Sequence, residues 1–421
     1  MRTLLVGATQ VVTCRGPARA RRGGEMAELE VLADAAVLIG GDGLIEAVGP
    51  YADLAPRARD AGVVEVDGVL FPGFVDCHTH AVFGMARLAD HERRARGVSY
   101  KEIAAAGGGI LSSVRDVRER SAAELTDLTG RRLARLLANG TTTVEVKSGY
   151  GLSLDAELKQ LEVIAALQGG VPSLVPTFLG AHEVPTEYRA HPEEYVDLVV
   201  GEMLPAVEAR GIARFCDVFC EPGVFTVPQS RRVLEAARRH GLALKLHADE
   251  LDPSGGAELA AELGAVTADH LAAISDDGVR ALAASGTVAV LLPGTMMFLG
   301  RKQQAPGRRL IDAGAAVALA TDFNPGSSPG MSLPLMGTLA VSQAGLIPAE
   351  AVIAMTVNGA AGVGEAGNRG QIASGFRGDL VLAAVRDWRE VVYWYGVNLV
   401  SRVWVLGTPC HCGDAPVNFL V

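Results

Sequence analysis

Missing from this 421-residue sequence is any uninterrupted apolar run of the ~18 residues that a membrane helix needs. No spanning helix is expected, and residues 1–14 read as a strand rather than a secretory leader, so the expected compartment is the cytoplasm. Positive charge is also short. With 38 basic against 48 acidic side chains the net charge is -10, which repels phosphate backbones and anionic lipid surfaces. Neither nucleic acid nor a membrane is an expected partner. Cysteine is sparse, six in all, and its spacing fits neither a disulfide framework nor a zinc site. Cys77, Cys216 and Cys220 sit inside apolar strand-like runs, and Cys410 and Cys412 flank His411, but three adjacent residues cannot close a tetrahedral site.

What is present is apolar material in quantity: 49% hydrophobic residues, enough for one large barrel and a smaller appendage. Residues 1–70 and 371–421 are rich in short β-type runs punctuated by glycine, as in Ala35-Ala36-Val37-Leu38-Ile39 before Gly40-Gly41. Together they are expected to form a composite β-sandwich. Between them, residues 71–370 alternate strand and helix signals. Eight β-branched runs fall at 74–80, 141–147, 174–181, 215–220, 243–248, 265–269, 287–292 and 317–321. Helical patterns separate most of them, at 121–138, 154–167, 192–209, 228–240 and 255–263. The first opens with Ser121 and Glu124 at capping-box spacing, and Gly140 follows its end. The expected fold is α/β, a TIM-type (β/α)8 barrel whose chemistry lies at the C-terminal ends of its strands.

The reactive residues gather at those ends. His78 and His80 close the first run and lie two apart, so an extended backbone points both to one face. His182 follows the third run, His247 lies on the fifth, His270 follows the sixth and Asp322 the eighth. Three imidazoles and a carboxylate, His78, His80, His247 and Asp322, suit one first-row metal ion with a position left for water. Zinc or iron is expected, with manganese as a further option. Glu250, three residues after His247, is placed to reach a substrate, though it could instead be an acid favoured by a helix start. Lys147 ends the second run, either as a metal-bridging lysine or as a charge partner, and is assigned no metal.

Longer strings then resemble the amidohydrolase superfamily, and within it the branch that opens an imidazolone ring in histidine degradation. They are Gly97-Val98-Ser99-Tyr100, Ala106-Gly107-Gly108-Gly109-Ile110, Val144-Glu145-Val146-Lys147-Ser148-Gly149-Tyr150-Gly151, Pro176-Thr177-Phe178-Leu179-Gly180-Ala181-His182, Lys245-Leu246-His247-Ala248-Asp249-Glu250 and Thr321-Asp322-Phe323-Asn324-Pro325-Gly326-Ser327. The resemblance implies the same four metal ligands, with Asp322 and His270 accepting a proton from water and Glu250 serving the leaving nitrogen. It implies substrate contacts at Arg87, Tyr150, His182, Glu250, Asn324, Gly326 and Ser327. The implied substrate is a small acidic imidazolone, with the Arg87 guanidinium clamping its carboxylate, and the implied assembly is a homodimer. A deaminase or another cyclic amidase of the superfamily is the rival, and Arg87 with Tyr150 argues against a neutral nucleobase. Residues 15–24, Met296-Met297 and the tail after Gly407 depart from the pattern, and the two methionines are expected to alter a pocket wall.

Overall fold

The computed structural model describes residues 2–99, 102–103 and 106–413; Tyr100 and residues 414–421 lie outside them. Eight parallel strands run in sequence order around a barrel: β1 (Phe74–Asp76), β2 (Thr141–Lys147), β3 (Ser173–Ala181), β4 (Phe215–Cys220), β5 (Ala243–Ala248), β6 (Thr267–His270), β7 (Val288–Leu291) and β8 (Ala316–Leu319). Five of these begin within one residue of the expected runs at both ends. β1 and β8 are shorter at the C-terminal end, because there the chain leaves one ladder to make another. Thr79 bridges to Phe323, His80 N donates to the Phe323 carbonyl at 2.9 Å, and Asp322 N donates to the His78 carbonyl at 3.1 Å. The seam between first and last strands is thus stitched by the segments that carry three of the expected ligands.

Helices cover the barrel where the apolar spacing places them. The helix Ala122–Ala138 starts on Ser121, whose hydroxyl accepts from Glu124 N while the Glu124 carboxylate accepts from Ser121 N, and it buries Leu125, Leu133 and Leu136. Leu154–Leu167 has the expected bounds. The expected helix at 192–209 is instead Pro192–Leu198 and Leu204–Arg210 joined by a π turn at Val199–Met203. The cause is Pro205, which has no N–H to donate to the preceding turn; one wide turn absorbs the missing bond.

The two chain ends build two sheets. Four strands, Ile45–Pro50, Ala35–Ile39, Thr3–Val6 and Gly62–Glu65, form one, and Thr408–Cys412, Val400–Val405, Leu380–Ala383, Val69–Pro72, Gln10–Val12 and Val31–Ala33 form the other. Leu5, Val11, Val37, Ile39, Leu70, Leu380 and Trp404 pack between them, as in a sandwich. Val69–Pro72 belongs to the sandwich and β1 to the barrel, so the chain crosses at Gly73, where a Cβ would lie 2.2 Å from Thr142 Oγ1. The unexplained residues 15–24 form a strap beneath the barrel. Arg21 is buried, its backbone N bonds Asn358 Oδ1 at 2.8 Å, and Gly23 N donates to the Ala315 carbonyl at 3.1 Å, just ahead of β8. Among the described residues no helix is long and apolar enough to cross a membrane.

Candidate metal centre

His78 and His80 lie just past β1, where the seam bridge at Thr79 keeps the backbone extended and both rings turned inward. His247 comes from β5 and His270 closes β6. Asp249, His270 and Asp322 all adopt positive φ, at 50°, 79° and 50°, a region that side chains other than glycine enter rarely and that clusters at functional sites.

The donor atoms converge. His247 Nε2 and His80 Nε2 face one another at 3.4 Å, and Asp322 Oδ1 lies 3.5 Å from His80 Nε2 and 3.6 Å from His78 Nε2. Ligands at ~2.0–2.1 Å from a shared tetrahedral ion would stand about 3.3–3.4 Å apart, so these separations match one ion held in common. The opposite ring nitrogens are fixed from behind. His78 Nδ1 meets Asp269 Oδ2 at 2.5 Å, and His247 Nδ1 meets Asp217 Oδ1 at 3.1 Å, which leaves each Nε2 as a lone pair directed inward. His78 Nε2 is buried without a hydrogen-bond partner. Burial, with Lys147 and the other imidazoles adding to it, pushes His78 well below the usual histidine range; burial and His182 do the same for His80. Neutral imidazoles are the form that binds metal. The residues fit a metal ion, and His270 shares a second close grouping with His78 and His247.

Beneath the ligands lies a layer that reading the sequence did not find. Lys147 Nζ donates to Glu145 Oε1 and Asp217 Oδ2, each at 2.7 Å, and stands 3.9 Å from Asp269 Oδ2; all four groups are fully buried. Burial alone would lower the Lys147 ammonium, but Asp217, Glu145 and Asp269 outweigh it and raise it. Lys147 therefore neutralises the two carboxylates that orient His78 and His247. Of its two expected roles, the structure gives it that of charge partner. The available signal was charge within apolar strands: Glu145 and Lys147 lie two apart on β2, and Asp269 pairs laterally with His247.

Above the ligands opens a cavity of about 1030 Å³ lined by His80, Arg87, Tyr150, His182, Glu250, Asn324 and Ser327 among others. His182 Nδ1 lies 2.9 Å from the Gly149 carbonyl; only an N–H satisfies that oxygen, so Nε2 carries the lone pair. Burial holds this imidazole down at about 3, hence neutral. The Glu250 carboxyl is raised well above the usual range by burial and by Asp322 and Glu221, and its Oε2 lies 3.7 Å from His270 Nδ1. Asp322 is pushed up to about 6 by burial, against a 2.7 Å hydrogen bond from Thr295 to its Oδ2.

Two of the expected contact residues also have structural partners of their own. Asn324 donates to the Asp322 carbonyl and to Ser327 Oγ, and accepts from Gly326 N and Ser327 N, so its amide holds its own loop. Gly326 is a platform rather than a wall: a Cβ there would lie 1.9 Å from Arg87 Cζ and 2.0 Å from its Nε and Nη2. Neither methionine lines this cavity. Met297 is 44% exposed, whereas Met296 is buried and lines a smaller adjoining recess together with Glu250, Leu251 and Arg301.

Comparison with known proteins adds the following. A profile of the amidohydrolase family matches residues 69–408. An imidazolonepropionase of Chloroflexus aggregans is 47% identical over 411 residues, covering 95% of this chain and 96% of that one. An imidazolonepropionase of Geobacillus kaustophilus is 48% identical over 411 residues, with 96% of each covered. Among solved structures, a zinc-bound adenosine deaminase from Xanthomonas campestris superposes with a TM-score of 0.72 at 20% identity, over 99% of this chain and 94% of that one. A triazine hydrolase variant gives 0.74 at 18% identity, over 99% and 96%. Those two likenesses concern the fold alone.

Proposed function

The chain belongs to the amidohydrolase family and, within it, to the imidazolonepropionases, and from that premise we propose that it hydrolyses the ring C–N bond of 4-imidazolone-5-propanoate to N-formimidoyl-L-glutamate, a step of histidine degradation. The observation that carries this reading is one cavity with His80, His247 and Asp322 at its floor, His78 buried against Asp322 behind them, and the Arg87 guanidinium, seated on Gly326, in its wall.

His78, His80, His247 and Asp322 would hold the ion, zinc or iron in our reading. Such an ion, when bound, brings the pKa of a water near 7 and polarises a carbonyl oxygen. The chain's own groups do the rest. Asp322, with Oδ2 occupied by Thr295 and Oδ1 turned to the ligand nitrogens, accepts the water proton, with neutral His270, grouped with His78 and His247, as a second acceptor. Glu250 enters the reaction protonated, because burial and the nearby Asp322 and Glu221 disfavour its charge. It therefore gives its proton to the ring nitrogen that leaves, a general-acid task commonly worth ~10²- to 10⁴-fold. The His182 Nε2 lone pair accepts a ring N–H, while Tyr150, 5.3 Å from His182 ring to ring, packs beside it. The propionate lies along Arg87, whose planar fork matches a carboxylate in two bonds.

The test is to add the metal-loaded protein to freshly prepared imidazolone propionate and follow the ring's ultraviolet absorbance. Loss of the ring with formation of N-formimidoyl-glutamate is expected; an unchanged spectrum overturns the assignment. Guanine and adenosine serve as controls, and neither should turn over, since a neutral base offers nothing to Arg87.

A further inference from the structure

Glu250 sits on a segment with no regular secondary structure, yet its carboxyl must meet a ring nitrogen to within a fraction of an ångström for proton transfer. Something must fix that segment. The chain turns at Asp249, whose φ of 50° is an uncommon conformation held by its own carboxylate: Oδ1 accepts from Ser254 N at 2.7 Å and Gly255 N at 3.1 Å, and Oδ2 from Ala257 N at 3.0 Å. Those bonds anchor the far side of the turn. The near side converges on a different residue, Glu221, one position beyond β4 and 3% exposed. Its Oε2 accepts from Glu250 N at 3.1 Å, and its Oε1 from Asp252 N at 2.7 Å and Leu251 N at 3.3 Å. Three successive backbone N–H groups thus close on one carboxylate, the concave anion-binding arrangement that successive amides form. Glu221 is itself fixed, because its backbone N donates to the Phe225 carbonyl at 3.1 Å and its carbonyl accepts from Val224 N at 2.9 Å.

We propose that Glu221 is a positioning residue for Glu250: by gathering the N–H groups of residues 250–252 it sets where the Glu250 carboxyl stands above the metal ligands. The proposal rests on the reading of Glu250 as the group that serves the leaving nitrogen. Glu221 acts on Glu250 from behind, through the backbone N–H groups it gathers and through its charge, which adds to the burial and Asp322 that raise the Glu250 carboxyl. Replacing its carboxylate by an amide puts an NH2 against one of the three N–H groups, and the segment must swing away from that clash. Misplacement of a reacting group by about 1 Å can cost ~10²-fold in rate. Substrate capture, governed by Arg87 across the cavity, should be spared.

The experiment is a double-mutant cycle on the metal-loaded enzyme with Glu221→Gln, Glu250→Gln and the pair, measuring kcat, KM and bound metal for each. Expected for Glu221→Gln is a ~10- to 100-fold fall in kcat, KM within about threefold of the unaltered protein and full metal content. Glu221→Asp, which keeps the acceptor on a shorter stem, should recover part of the loss. In the Glu250→Gln background the further substitution should change kcat by less than about threefold, because the group being positioned is gone. Losses that multiply in the pair would show Glu221 acting independently and overturn the proposal, as would an undiminished kcat in Glu221→Gln or a loss that follows bound metal. Unchanged turnover in Glu250→Gln alone is a different failure: it removes the reading of Glu250 itself, and the proposal with it.

Discussion

Arg87 shows how much of a site residue's meaning lies in what it rests on. Its guanidinium lies against Gly326, its Nη2 reaches Asn324 Oδ1 at 3.5 Å, and its Nε is buried without a partner. Gly326 has no positive φ, so its backbone would tolerate alanine; the methyl group alone would collide with the guanidinium. Gly326→Ala should therefore raise KM for the acidic imidazolone by ~10-fold or more, approaching Arg87→Ala, because truncating one partner of a buried charge pair costs about 2–5 kcal/mol and ~1.4 kcal/mol is tenfold. Bound metal should be unchanged in both. Steady-state kinetics decide it, and a Gly326→Ala protein with unaltered KM would show that Arg87 does not depend on this seat. Both residues were named from the sequence by resemblance. Their dependence on one another was not legible, because no local rule links positions so far apart in the chain.

At the scale of the strand, period two placed the ligands and also concealed their support. An inward-facing position can lie in the layer that meets solvent or in the one below, and alternation does not distinguish them. His247 and Lys245 are two apart on β5; one faces the ligand cluster and the other bonds the Cys77 carbonyl at 2.9 Å in the layer beneath. Glu145, Asp217 and Asp269 were passed over for that reason, although a charge within an apolar strand was there to be noticed. The strand ends were legible except at β1 and β8, which change partners at the seam, and at the start of β6, which begins at Thr267, inside its expected run. Lys147 tests the buried layer. Lys147→Met leaves three carboxylates with one buried cation, Lys245, 3.5 Å from Glu145, and uncompensated buried charge typically costs about 3 to 5 kcal/mol. It also frees Asp217 and Asp269 from their common anchor, and losing an orienting partner commonly weakens metal binding by ~10- to 100-fold. Denaturant unfolding should show the first effect and competition with a chelator the second. A variant with both properties intact would show that the cluster does not depend on its lysine.

For the whole molecule, the consequence of the seam is that the site and the closure of the barrel are one structure. The sequence allowed the barrel, the sandwich of both ends and the metal centre to be expected; it did not show that the first and eighth strands are joined through the ligand-bearing segments, since pairing between the ends of a barrel leaves no local pattern. His78 and His80 stand on one side of that joint, Asp322 on the other, and His247 on β5 across the barrel. An ion bound to all four ties the first, fifth and eighth strands together in the folded state and has no comparable site in the unfolded chain. Binding then adds RT ln(1 + [L]/Kd) to stability, about 2.7 kcal/mol when free metal is a hundredfold above Kd. Stripping the protein with a chelator should lower the unfolding midpoint, and readdition of zinc should restore it. The loss should also be local. With the ion gone, four inward donors face one another uncompensated beside a joint held by few backbone bonds, so amide exchange should quicken first at His80 and Asp322, whose N–H groups cross the seam. Amides where β2 and β3 pair, along an unbroken ladder, should keep their protection. Equal melting with and without metal would mean that the four donors hold no ion of consequence to the fold, and uniform exchange around the barrel would mean that the seam is not its weak point.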